Sequence, residues 1–224
     1  MTAITRDSTV GRIAAERPFA AKVFARYGID YCCGGDKPLG EVCREQNLDA
    51  GAVLREIEEE PSSGSTSGER WDQAPLGDLV IHIVAAYHRP LDAELPRLEA
   101  MARKVYEVHR DKQPEMLARL LAVFRGLKSD LEDHMAREEE ILFPMIKKGE
   151  GVMAEGPITI MEEEHESAGA ALRQLRELTG DYRVPEDACN TWRALWHGLA
   201  SLEEALHQHI HLENNILFPR TLEE

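Results

Sequence analysis

Two eleven-residue segments carry the most specific chemistry in the chain. Residues 134–144 read HMAREEEILFP and residues 209–219 read HIHLENNILFP, with His, Glu, Ile, Leu, Phe and Pro at the same offsets. Residues four apart on an α-helix differ by about 40° around the axis and about 6 Å along it. His134 and Glu138 therefore share one helix face, and so do His209 and Glu213. Each pair follows another histidine in matched surroundings. His88 is followed by Leu91, Leu95 and Leu98, and His165 by Ala168, Leu172 and Leu175. Leu131, Ile141 and Leu142 flank the first pair, and Leu206, Ile210, Ile216 and Leu217 the second, so both are expected to point into a helical interior. One His-x-x-x-Glu on a helix is most often a solvated pair; two copies in a repeated context are far more specific.

Carboxylates and imidazoles collected in an apolar interior need compensation. A pair of divalent cations supplies it, with the carboxylates bridging and the imidazoles completing each coordination sphere. Nitrogen and oxygen donors without thiolate favour iron or manganese, and ligand type alone leaves zinc open. Of the other histidines, His82 lies about 240° around the helix from His88 and faces elsewhere. His207 and His211 have no counterpart in the repeat and are expected at the surface or behind the ligands. His197 reads as ordinary core or surface, and His109, with no equivalent in the second half, has an open role.

A second constellation is Tyr31–Cys32–Cys33–Gly34–Gly35. A disulfide between neighbours closes a strained ring, so the pair reads as two thiols. The glycines permit a tight turn, and Pro38 opens a helix whose N-terminus favours a nearby thiolate. The reading is a reactive or metal-handling dithiol, against the plainer one of small buried residues at a turn. Cys43 lies on the following helix, where it can join the pair, and Cys189 reads as structural.

The elements that must position these groups are helical. Helices are expected over residues 18–27, 38–46 and 49–60, the last capped by Asp49 with Val53, Leu54 and Ile57 on one face. Four longer ones follow: Leu76–His109, kinked or interrupted at Pro90 and Pro96; Pro114–Phe143, ending at Pro144; Pro157–Leu178, ending at Gly180; and Pro185–Phe218, ending at Pro219. No stretch alternates with period two. The expected fold class is all-α: an antiparallel four-helix bundle over 76–224 and a small N-terminal helical domain over 1–60. A flexible linker over 61–75 joins them, because PSSGSTSGER holds no apolar residue; ten such residues span roughly 17 Å.

The 224 residues are 43% hydrophobic and 30% charged, with a net charge of −15. That balance supports a packed core and opposes binding to a phosphate backbone, so no nucleic-acid partner is expected. No apolar run approaches the ~20 residues of a membrane span, and residues 1–10 lack a basic patch followed by an apolar core. A soluble, cytoplasmic protein with no membrane role is expected.

These residues resemble the hemerythrin-like domain, and more closely the RIC family, the di-iron proteins for repair of iron centres. The resemblance runs from about residue 8 to 220. It rests on YCCGG in an N-terminal helical domain followed by a bundle with the two His-x-x-x-Glu…ILFP segments. It implies two non-haem irons with an oxo or hydroxo bridge, held by His88, His109, His134, Glu138, His165, His209 and Glu213. It also implies redox or iron-handling thiols at Cys32 and Cys33. The function it implies is repair of iron–sulfur clusters damaged by nitrosative or oxidative stress, by supplying iron, with damaged iron–sulfur proteins as partners. Nitric oxide or oxygen are the small ligands, and a homodimer through the N-terminal domain is consistent with it. Two alternatives use the same site: a di-iron nitric oxide reductase making nitrous oxide, and an oxygen carrier of hemerythrin type. A carrier has no need of a dithiol. The linker also allows the dithiol domain to dock at one end of the bundle and accept iron or a nitrosyl group.

Overall fold

A computed structural model of the protein describes residues 4–59 and 70–223. Most of the expected linker, including its Ser/Gly-rich centre, lies outside the described residues. The described chain is helical and contains no strand, only an isolated antiparallel bridge between Thr9 and Pro38. It forms two compact units: one from the residues up to Val80 together with His207 onward, the other from Ile81–Leu206.

The first unit begins with α1 (Val10–Glu16), α2 (Ala20–Tyr27), α3 (Leu39–Glu45) and α4 (Ala50–Glu59). α1 was not expected; its signal is only Val10, Ile13 and Ala14 at helical spacing, all buried. α2 ends at Gly28, and Asp49 caps α4 by accepting the Gly51 N–H at 2.8 Å. Val53 and Ile57 of α4 are buried and Leu54 partly so, in a core shared with Phe24 and Leu39. Cys43 sits in that apolar core and does not join Cys32 and Cys33.

The second unit is built on α6 (Arg89–His109), α7 (Pro114–Arg137), α9 (Gly151–Leu178) and α10 (Asn190–Leu212), the last continuing beyond this unit. Its core takes Leu91, Leu95 and Leu98 from α6, Phe124 from α7, Leu172 from α9 and Trp196 from α10. The offsets read as equivalent after His88 and His165 are therefore both inward.

The prolines act differently from expectation. α5 (Leu76–Ile83) passes through a π-helical turn, Val84–His88, into α6. α7 passes through another, Glu138–Leu142, into α8 (Phe143–Lys147). α10 passes through a third, Glu213–Leu217, into α11 (Phe218–Glu223). Pro90, Pro144 and Pro219 each lie two residues beyond a π turn. A proline has no N–H for the i−4 carbonyl and its ring clashes with that carbonyl. The wider π turn relieves the clash, so the helices continue where Pro144 and Pro219 were expected to end them. The turn also shifts the register of the downstream helix, leaving Ile141 52% exposed while Leu142 is buried. α9 begins six residues before the expected Pro157, and α10 begins at Asn190 rather than Pro185.

Candidate metal centre

The π turns place the chemistry. One ends on His88, the second begins on Glu138, and the third begins on Glu213. All three side chains are 0–2% exposed, as are His165 and His209, and His134 is also buried.

Within the second unit Glu138 is a focus. His88 Nε2 lies 3.3 Å and His134 Nε2 3.4 Å from its Oε2, and His165 Nε2 lies 3.1 Å from His134 Nε2. His134, Glu138 and His165 each offer a donor atom within 4.8 Å of the others. Both Glu138 oxygens are buried and accept no hydrogen bond from any described residue.

The far sides of two rings explain this convergence. Nδ1 of His88 faces Glu139 Oε1 at 3.0 Å, and Nδ1 of His134 faces Glu164 Oε2 at 2.9 Å. Each carboxylate is anchored by an arginine, Glu139 by Arg89 and Glu164 by Arg137. Burial acts to raise both carboxyls, but the facing histidine and arginine outweigh it and hold each below the usual range. An Nδ1–H donated to a carboxylate leaves Nε2 as a lone pair. Lone pairs from His88 and His134 then face a buried carboxylate, and two ring nitrogens face each other at 3.1 Å. A cation among them turns the repulsion between those lone pairs and the carboxylate into attraction. Nitrogens on one divalent ion, at about 2.0–2.1 Å each, lie roughly 3.0–3.4 Å apart. The donor set fits a metal ion.

Within the first unit, His209 Nε2 lies 3.0 Å from Glu213 Oε1, both buried. Of the two places expected for the histidines flanking His209, the surface or behind the ligands, His211 is not at the surface and His207 is half-buried. His211 is 6% exposed, burial pushes its pKa down to about 4, and its ring meets Tyr31 edge-on at 5.5 Å. His207 also meets Tyr31, at 6.4 Å.

His109 does not reach the cluster around Glu138. It follows His88 by the full 21-residue length of α6, about 31 Å along a helix. Its Nε2 lies 3.2 Å from Cys189 Sγ, and its ring packs on Trp192 at 4.8 Å. The ligand expected there from the resemblance is therefore replaced by a Cys–His contact. Cys189 is exposed rather than structural, His197 is exposed, and His82 packs against Tyr87.

The dithiol segment contacts the helix that carries Glu213. Asn215 Nδ2 donates to the carbonyls of Tyr31 and Cys32, at 3.2 and 3.1 Å, and Asn214 Nδ2 donates to Cys32 at 3.3 Å. Gly11 and Gly35 permit this approach: a Cβ on either would fall 1.9 or 2.1 Å from Asn215 Oδ1. Asn214 and Asn215 stand where the first repeat has Glu139 and Glu140. Their roles were not foreseen, although the departure from the repeat was the signal: one copy uses the position to orient a histidine, the other to hold a loop.

Glu139→Gln and Glu164→Gln are each expected to weaken metal binding on the order of 10–100-fold, by loosening His88 or His134. Competition against a chelator of known affinity measures it, and unchanged affinity in both variants would remove the orienting role.

Residues 79–221 match the family model of the hemerythrin HHE cation binding domain, and residues 6–60 match a domain of unknown function (DUF542). The chain is 41% identical over 217 residues to an iron-sulfur cluster repair protein YtfE of Dickeya chrysanthemi, covering 97% of each. It is 42% identical over 220 residues to the protein of that name from Yersinia pseudotuberculosis, and 40% over 220 residues to that of Escherichia coli O81, again with 97% of each chain covered. No helix among the described residues is long and apolar enough to cross a membrane.

Proposed function

From the premise that this chain belongs to the hemerythrin HHE family, among its iron-sulfur cluster repair proteins, we propose that it repairs damaged iron–sulfur clusters by supplying iron. The observation that carries the metal side of this reading is the buried, hydrogen-bond-free carboxylate of Glu138 faced by the Nε2 atoms of His88 and His134.

The proposed ligands are His88, His134, Glu138, His165, His209 and Glu213. His109 is left out because of its distance along α6 from His88. Two observations support treating the two His-x-x-x-Glu pairs as parts of one centre. Each pair ends on a glutamate that starts a π turn, and the HHE match spans both. Two carboxylates and four imidazoles match two ions, and nitrogen–oxygen donation without sulfur suits iron. When bound, such a pair supplies exchangeable iron and sites for small ligands such as nitric oxide.

The chain's own residues set how firmly that iron is held. Glu139 and Glu164 fix the tautomer and aim of two histidines. Apolar neighbours such as Phe143, stacked on His88 at 5.7 Å, keep water off the ring face. Histidine and carboxylate ligands release iron(II) more readily than thiolates release softer metals, which suits a donor.

Anaerobically purified chain is expected to carry two irons, seen as a coupled pair by Mössbauer spectroscopy. Mixed with a nitric-oxide-damaged [4Fe–4S] dehydratase, it should restore activity while losing iron in step. Restoration without loss of iron from the chain would reject iron supply.

A further inference from the structure

Asp30, Cys32 and Cys33 lie outside the histidine–glutamate set and form a cluster of their own. The Cys32 and Cys33 sulfurs are 3.8 Å apart, and Cys32 Sγ is 3.3 Å from Asp30 Oδ1. One donor atom from each of the three lies within 4.8 Å of the others. Two thiolates on one tetrahedral divalent ion, at about 2.3 Å each, stand about 3.8 Å apart. Adjacent cysteines seldom present their sulfurs to a single point, and here the backbone is held so that they do. Asp30 Oδ1 accepts the N–H groups of Cys32 and Cys33, at 3.1 and 3.0 Å. From the other side, Asn214 and Asn215 hold the Cys32 carbonyl.

We propose that Asp30, Cys32 and Cys33 form a mononuclear site for a divalent, thiolate-binding metal ion, held by two sulfurs and a carboxylate oxygen. Exposure is graded across it: Cys32 is buried, Cys33 half-buried and Asp30 exposed, so the ion enters and leaves past the aspartate. Without metal, the Cys32 thiol is kept protonated, first by its hydrogen bond with Cys33, then by burial and by the charge of Asp30. Partial burial acts to raise the Asp30 carboxyl, but the N–H groups of Gly34, Cys33 and Cys32 and the Cys32 thiol outweigh it and keep it ionised. Binding exchanges two S–H bonds for two metal–sulfur bonds. Two protons go to solvent and no electron moves.

Iron(II) stands low in the affinity order of divalent ions, so it is held here reversibly, whereas zinc and copper bind tightly. On the repair reading, on which this last step rests, the site passes an iron ion outward.

Cobalt(II) titrated into the reduced full-length chain tests the site. The expected result is a near-ultraviolet thiolate-to-cobalt charge-transfer band that saturates at one equivalent, with two protons released per ion. Cys33→Ser should abolish the band with the circular dichroism unchanged, and Cys43→Ser should leave it intact. Asp30→Asn should weaken binding on the order of 10–100-fold. A wild-type chain with no band, or a band that survives Cys33→Ser, overturns the proposal. Glu138→Leu separates it from the iron-supply reading: that variant should lose iron yet keep the cobalt–thiolate band.

Discussion

Glu138→Leu is expected to take the iron content of the anaerobically purified chain from two ions to none. The carboxylate is fully buried, and two of the proposed histidine ligands point at its Oε2. In the proposed two-ion centre both ions would draw on this carboxylate, so its loss should affect each. Leucine fills a similar volume without charge, so the fold should persist. The metal-free variant should be at least as stable as metal-free wild type, because two buried oxygens without a hydrogen bond are gone. Metal analysis and thermal melts of both apo forms measure the two effects. His109→Gln is the contrasting variant and should retain both irons. If Glu138→Leu keeps its iron, or His109→Gln loses it, the six-residue centre is wrong.

Replacing Gly35 by valine should release the dithiol loop. A Cβ there would stand 2.1 Å from Asn215 Oδ1 and 3.1 Å from the Gly11 Cα. The backbone of Gly11 cannot yield easily, because its N–H donates to the Gly35 carbonyl at 2.8 Å. The Asn215 side chain must therefore swing away, and the Tyr31 and Cys32 carbonyls lose its amide. Overpacking of this kind costs about 1–3 kcal/mol. At about 1.4 kcal/mol per tenfold, that raises the open population by roughly 5–150-fold. Alkylation of Cys32, resolved by peptide mass spectrometry, should accelerate accordingly. Gly126→Ala, where an added Cβ meets nothing within 4 Å, should leave the rate unchanged. Equal rates in Gly35→Val and wild type would show that the asparagines do not guard the thiols.

Much of the fold and half of the site chemistry were legible in the residues. The apolar offsets behind His88 and His165 marked inward faces because helical periodicity is a local property. The spacing of His134 with Glu138, and of His209 with Glu213, marked shared faces for the same reason. The prolines misled, because a sequence shows the missing N–H but not the wider turn that accommodates it. His109 misled through likeness of position, although 21 residues of continuous helix already separate it from His88. The partners that aim the histidines were harder to see. Glu164 approaches His134 from a different helix, and Asn215 meets the Tyr31–Cys32 backbone across 184 and 183 residues of chain. Contacts at such separation leave no periodic trace.

The wider turns ahead of Pro90, Pro144 and Pro219 also make those points the ones where the chain can best lose a residue. A turn with i→i+5 bonding carries one residue more than an ordinary α turn. Deleting Ile141 or Ile216 would let the helix close to an ordinary α turn and keep Phe143 or Phe218 on its buried face, with the clash of the following proline as the cost. Deleting a residue from the regular α-helix on either side would instead twist everything beyond by about 100°.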